Sequence, residues 1–193
     1  MPHPPAADGT PEPGPDAVPP GPRVRLQAVT PGDCAEFTRL VRASTRLHHP
    51  WVEMPATDDA FATYVARFDG ERSVGLLVRL CESGELAGFI NINNIVRGAF
   101  QCGVLGYGAF APAAGRGLMS EGLGLTLRYA FGPLRLHRLE ANIQPGNSAS
   151  VALVRRHGFR LEGFSPGFLF VDGAWRDHER WAVTAEMTSV HPN

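Results

Sequence analysis

Gly103-Val104-Leu105-Gly106-Tyr107-Gly108-Ala109-Phe110, then Ala111-Pro112-Ala113-Ala114-Gly115-Arg116-Gly117, then Leu118-Met119-Ser120-Glu121, is the stretch on which the reading of the fold turns. The first segment reads as a strand ending at Phe110, the second as a Gly-rich turn, and the third as the opening of a helix that runs to about residue 131. Gly115 and Gly117 let the main chain come close to a ligand. The unpaired amides of the first helical turn then point at whatever anion arrives, and Ser120 adds a hydroxyl. Such a turn suits a pyrophosphate, although two glycines before a helix are equally ordinary turn chemistry. A Walker loop is excluded because no Gly-Lys-Ser/Thr follows, and the dinucleotide pattern G-x-G-x-x-G is left incomplete at Met119-Ser120.

Upstream, Val24 and Leu26 start a short strand. Thr30-Pro31 supplies an N-cap and a proline at the first helical position, with Asp33 in the first turn and Phe37, Leu40 and Val41 as the apolar stripe. His48-His49-Pro50-Trp51 breaks that pattern. Thr57 caps a second helix carrying Phe61, Tyr64, Val65 and Phe68. Residues 73–81 and 86–96 read as a hairpin turning at Glu82-Ser83-Gly84-Glu85. Downstream, Arg138 to Ile143 reads as a strand and Asn147 to His157 as a helix. Two closing strands, about 159–171 and 175–186, turn at Asp172-Gly173. The order is β, α, α, several antiparallel strands, βαβα and a final hairpin. It predicts an α/β (α+β) domain with a mixed, largely antiparallel central sheet flanked by helices.

Composition bounds the rest. The chain has 193 residues and a formal net charge of -1, which argues against a domain that holds nucleic acid by phosphate neutralisation. Residues 1–22 hold nine of the 17 prolines, which predicts a disordered Pro-rich tail; the folded domain is expected over 23–187, with a short tail at 188–193. The tail has no basic, apolar leader pattern, and no stretch approaches the roughly 18 apolar residues of a membrane helix, so a soluble cytoplasmic protein is expected. Cys34, Cys81 and Cys102 are too few and too scattered for a disulfide framework or a zinc site, and the histidines show no metal-ligand spacing; no metal is expected. Gly163-Phe164-Ser165-Pro166-Gly167 matches the hydrolase elbow in letters only, since Pro166 lacks the N–H that such an oxyanion hole requires.

Several segments, taken together, resemble the GNAT superfamily of N-acetyltransferases, in its RimJ/RimL-type ribosomal-protein-alanine branch. They are Gly115-Arg116-Gly117-Leu118-Met119-Ser120-Glu121, Asn93 to Gln101, Leu105-Gly106-Tyr107, Asn147-Ser148-Ala149-Ser150 and Asp172-Gly173-Ala174-Trp175-Arg176-Asp177-His178. The resemblance spans roughly residues 23–187. It implies a GNAT fold with a V-shaped splay between strands 103–110 and 138–144, and acetyl-CoA as co-substrate. Gly108 and Phe110 would lie along the pantetheine arm, Gly115, Arg116, Gly117, Leu118, Met119 and Ser120 around the diphosphate, and Asn147 and Ser150 beside the arm and thiol. Trp51, Asn93, Tyr107 and Trp175 would line the acceptor cleft; for the two tryptophans core packing is the alternative.

The implied chemistry is acetyl transfer to a primary amine. An α-amine, with a pKa near 8, is about one-tenth neutral at pH 7, whereas a Lys amine is neutral less than about once in a thousand. An N-terminal acceptor therefore needs a weaker base. The tyrosine that many GNAT enzymes use to protonate the thiolate is replaced here by Val154, which leaves Ser150 for that task, or for capping with Asn147. A Glu common before Gly106 is also missing. Asp177 and His178 are the remaining candidates for the base, or else residues that fix a strand pair. Three functions fit: N-terminal acetylation of a protein, a ribosomal protein being the implied partner; acetylation of a small amine; or a non-catalytic acetyl-CoA sensor. A monomer or homodimer is expected, without membrane or nucleic-acid partners.

Overall fold

The computed structural model describes residues 22–188, so the expected tails at 1–22 and 188–193 fall almost wholly outside the described residues. Seven strands form one sheet: β1 Val24–Ala28, β2 Val74–Leu80, β3 Leu86–Val96, β4 Cys102–Ala109, β5 Arg138–Ile143, β6 Arg160–Val171 and β7 Ala174–Thr184. Their order is β1-β2-β3-β4-β5-β7-β6. Every neighbouring pair is antiparallel except β4 and β5, which are parallel because a helix carries the chain between them. The helices are α1 Cys34–Ala43, α2 Thr45–His48, α3 Asp58–Val65, α4 Leu118–Phe131 and α5 Ser148–Arg156. No described helix is long and apolar enough to cross a membrane.

Strand alternation divides the interior between the two faces of the sheet. Leu76, Val78, Ile90 and Ile92 face one way and pack with Leu118, Leu123 and Leu127 of α4 and Val154 of α5. Leu77 and Phe89, one step out of phase, face the other way and pack with Phe37 of α1 and Phe61 and Tyr64 of α3. Phe37 sits at the centre of this second cluster, 5.1 Å from the Phe61 ring and 5.3 Å from the Phe110 ring.

Capping follows the residues expected to cap, with one shift. Pro31–Asp33 form a single 3-10 turn, and α1 proper begins at Cys34. Asp33 Oδ2 accepts from both the amide and the hydroxyl of Thr30, each at 2.8 Å. The Asp33 and Glu36 carboxylates also hold the Arg79 guanidinium, at 2.6 and 2.9 Å, and so fasten α1 to β2. Thr57 Oγ1 accepts from Ala60 N at the start of α3. Residues 45–48, which carried no helical signal in the sequence, make the extra turn α2; its amides at 47 and 48 bond to Ser44 O. The last hairpin turns at Asp172-Gly173, both with positive φ (51° and 71°), the backbone that a two-residue hairpin loop requires.

Candidate active site

The site is built where β4 and β5 part. Their parallel register runs from Cys102–Arg138 to Leu105–Ala141 and then stops, so β4 continues over residues 106–109 with no strand on its β5-facing edge. The V-shaped splay expected from the sequence is therefore present. Gly108 lies on this stretch, opposite Phe89 of β3; a Cβ there would meet the Phe89 ring at 2.7 Å, which requires glycine. His48 Nε2 donates to Ala109 O at 2.9 Å and so supports the end of the strand from α2.

Beyond β4 the chain makes a 3-10 turn at Ala111–Ala113 and reaches the paired glycines. Gly115 (φ 75°) and Gly117 (φ 76°) both have left-handed backbone, and Gly117 is the N-cap of α4. No heavy atom lies within 4 Å of the place a Cβ would occupy on Gly115, so the turn is open to close approach. The amides of Ser120 and Glu121 bond back to Gly117 O, while those of Arg116 to Met119 have no main-chain partner among the described hydrogen bonds. These free donors at a helix N-terminus are suited to a diphosphate. Leu118 is 1% exposed and contributes only its amide. Met119 likewise turns its side chain inward, over Gly88, whose missing Cβ makes room for the sulfur. The Ser120 hydroxyl is 2.9 Å from His157 Nε2, and burial holds the His157 imidazole below its usual pKa. Arg23 pairs with Glu121 across the outside of the turn, beside a hollow of about 380 Å³ shared with Ser120, Arg128 and His157.

Between the parted strands lies a cavity of about 120 Å³. It is lined by Trp51, Tyr107, Asn142, Asn147, Ser150 and His178, among others, so five residues singled out in the sequence meet in one place. Asn147 Oδ1 caps α5 by accepting from Ser150 N at 3.1 Å. Ser150 thus completes the cap through its amide alone, and its hydroxyl is hydrogen-bonded to Tyr107, Ser150 Oγ and Tyr107 Oη lying 2.5 Å apart. Burial pushes the Tyr107 phenol up to about 12. His178 is 3% exposed, and its Nδ1 donates to Arg176 O at 2.9 Å, which leaves Nε2 as an acceptor. A second hollow, about 340 Å³, continues outward past Trp51 and Gln144 to Trp175 and Asp177. His49 Nε2 and Asp172 Oδ2, 3.1 Å apart, join the segment after α2 to the turn of the last hairpin.

Three expected site residues sit elsewhere or do other work. Phe110 is fully buried in the aromatic cluster and its amide is engaged with Ala87 O, so it packs and offers no N–H to a ligand. Asn93 is outside the lining of the cavity: its Oδ1 accepts from Arg67 and its Nδ2 approaches Val104 O, beside an irregularity in the β3–β4 register. Asp177 Oδ1 accepts from Gly167 N at 2.8 Å and thereby fixes the irregular part of the final hairpin. Other site residues were not singled out in the sequence. His48, His157, Arg23 and Asn142 reach the site from separate elements, and none belongs to a local motif that could have marked it. Among the described residues, no group of His, Cys, Asp or Glu could hold a metal ion.

Comparison with known proteins agrees with this geometry. Residues 23–160 match the family described as Acetyltransferase (GNAT) domain. The chain is 41% identical over 100 residues to the [Ribosomal protein uS5]-alanine N-acetyltransferase of Escherichia coli (strain K12); the match covers 52% of each protein, so the chain spans about half the length of that curated relative. Among solved structures, Mycobacterium smegmatis RimJ in complex with CoA-disulfide superposes with a TM-score of 0.78 at 31% identity, covering 84% of this chain and 82% of that one. The ribosomal-protein-S5-alanine acetyltransferase from Vibrio fischeri gives 0.76 at 21% identity, with 88% and 96% covered, a likeness of fold.

Proposed function

The chain belongs to the GNAT acetyltransferase family, and from that premise we propose that it transfers the acetyl group of acetyl-CoA to the N-terminal α-amine of a protein, with the N-terminal alanine of a ribosomal protein as the favoured acceptor. The observation that carries this reading is the cavity between β4 and β5: hydroxyls at its base, an imidazole in its wall, and an aromatic hollow leading outward. The acceptor assignment is supported by the match to the uS5-alanine enzyme. A chain of peptide length needs an open path behind its first residue, and the hollow between Trp51 and Trp175 offers one.

Each residue has a defined task. The amides after Gly115 hold the diphosphate, and the unpaired edge of β4 at residues 106–109 aligns the pantetheine arm by main-chain hydrogen bonds. Acetyl-CoA, when bound, supplies a thioester whose carbon the amine attacks and whose sulfur leaves as a thiolate. His178 Nε2, free because Nδ1 is engaged with Arg176 O, takes the proton that the amine loses. Ser150 protonates the departing sulfur, and the Tyr107 phenol, still protonated at neutral pH, replaces that proton. Water entering the cavity then restores the phenol, while His178 gives its proton up to solvent. Because an α-amine is already partly neutral near pH 7, a single imidazole is base enough.

The test is turnover of acetyl-CoA with short peptides beginning with Ala, compared with a panel of small amines. Acetylation of the peptide α-amine, seen by mass spectrometry, is the expected result. Preference for a polyamine or another small amine would overturn the acceptor assignment, and tight acetyl-CoA binding without any turnover would overturn the enzyme.

A further inference from the structure

The cavity between β4 and β5 and the outer hollow share two lining residues, Trp51 and Gln144, which therefore form the neck between them. Three contacts hold Trp51 at this neck. Its amide and that of Val52 both donate to His48 O, at 2.7 and 3.0 Å, so the turn after α2 fixes its main chain. Gln144 Nε2 stands 3.5 Å from Pro50 O and ties the residue after β5 to the residue before Trp51. The indole lies against the bare backbone of Gly146, where a Cβ would come within 3.2 Å of its Cη2. An indole seated in this way, half-buried, is a wall of the cavity on the side that leads outward.

We propose that Trp51 is a specificity-determining residue: its indole limits the size of the acceptor's first side chain and turns away N-termini that begin with a large or branched residue. The inference rests on the acetyl-transfer reading of the site. The cavity measures about 120 Å³. A cavity of roughly 150 Å³ in a protein interior takes the ring of benzene. At the moment of attack this smaller space must hold the acetyl group together with the amine nitrogen, the α-carbon and the first side chain. The acetyl group, nitrogen and α-carbon account for about five of the six or so non-hydrogen atoms that such a space accepts. That leaves room for the hydrogen, methyl or hydroxymethyl of Gly, Ala or Ser. The branched side chain of Leu overfills it, and a seated indole yields to overfilling only at a cost. The second and later residues of the acceptor pass the neck into the hollow of about 340 Å³, where space sets no such limit.

The test uses the full-length protein, acetyl-CoA and peptides that differ only in the first residue, Ala, Ser or Leu, offered in competition. The wild type is expected to favour Ala and Ser over Leu by about a hundred-fold in kcat/KM. Trp51→Ala joins the cavity to the hollow, and the Ala-to-Leu ratio is expected to fall by about ten-fold or more, because the Leu peptide gains. Trp51→Phe, with a smaller ring, should give an intermediate ratio, and it decides the matter if the first variant does not fold. The ratio is blind to a general loss of active protein, since both peptides compete for the same molecules. A folded Trp51 variant whose ratio stays within about two-fold of the wild type overturns the proposal. So does a wild type that is indifferent to the first residue. Should the wild type acetylate a small amine and no peptide, the protein-acceptor reading fails. The same ratio, measured with amines unbranched and branched beside the nitrogen, then decides for or against Trp51.

Discussion

Tyr107 Oη and Ser150 Oγ, 2.5 Å apart, join β4 to the first turn of α5 across the opening between β4 and β5. The two residues are 43 positions apart in the chain, and the sheet brings them together only because β4 and β5 run parallel and then diverge. Both residues line the cavity, and in the proposed reaction the pair would serve as a short proton path, a role for the serine beyond capping.

Ser150→Ala and Tyr107→Phe should each lower kcat by up to about a hundred-fold, with acetyl-CoA affinity little changed. If the two hydroxyls act as one relay, the double variant should be scarcely slower than the worse single one, since residues in one network are not additive. Steady-state kinetics combined with cofactor titration would check both statements. Two independent, multiplying losses would refute the relay.

The Tyr107 phenol also sets an alkaline limit on stability. Its folded pKa is raised from 10 to about 12, so the native state keeps the proton where the unfolded chain releases it. The stabilising contribution is therefore complete below pH 10 and disappears as pH rises from 10 to about 12. It amounts to about 3 kcal/mol at most. Tyr64, also pushed up to about 12 by burial, adds a second contribution of the same sign. Denaturant unfolding at pH 8 and near pH 11 should show a smaller alkaline loss in Tyr107→Phe than in the wild type. An equal loss would mean that Tyr107 does not titrate as burial dictates.

The paired glycines make a prediction about cofactor binding. Gly117→Pro removes a free donor and cannot adopt φ 76°, and Gly115→Val places a β-branched residue at φ 75°. Either change should weaken acetyl-CoA binding by at least about ten-fold. Calorimetric titration of a folded variant is the check, and an unchanged Kd would exclude this turn as the diphosphate site.

On the acceptor side, Trp175 is 66% exposed and faces the outer hollow without belonging to the core. Trp175→Ala should raise KM for a peptide acceptor several-fold while leaving thermal stability within about 0.5 kcal/mol. The KM of acetyl-CoA should not move. A matching rise in both KM values would place the residue's effect elsewhere.

Much of the fold was legible because its signals are local. Thr57 caps α3, Asp172-Gly173 turns the last hairpin, and Gly117 opens α4, each through chemistry that acts within a few residues. Where reading failed, the decisive contact was distant. Phe110 seemed available to a ligand until the second core cluster claimed its ring and Ala87 its amide. Asn93 seemed part of the cleft until Arg67 bound it. Asp177 and His178 are adjacent in sequence and looked alike as bases. Strand alternation sends one to fix Gly167 and the other into the cavity.

The sequence by itself determined most of the order of elements, all but the extra turn α2, and the paired-glycine turn, because periodicity, caps and glycine backbone are properties of short segments. The family was legible through the resemblance of several short motifs taken together. Only the tertiary structure decided which side chains share the cavity: Tyr107 with Ser150, His178 in its wall, and Trp51 at its neck. That choice depends on where a parallel strand pair stops, which is settled by packing on both faces of the sheet and leaves no mark on any single stretch of the chain.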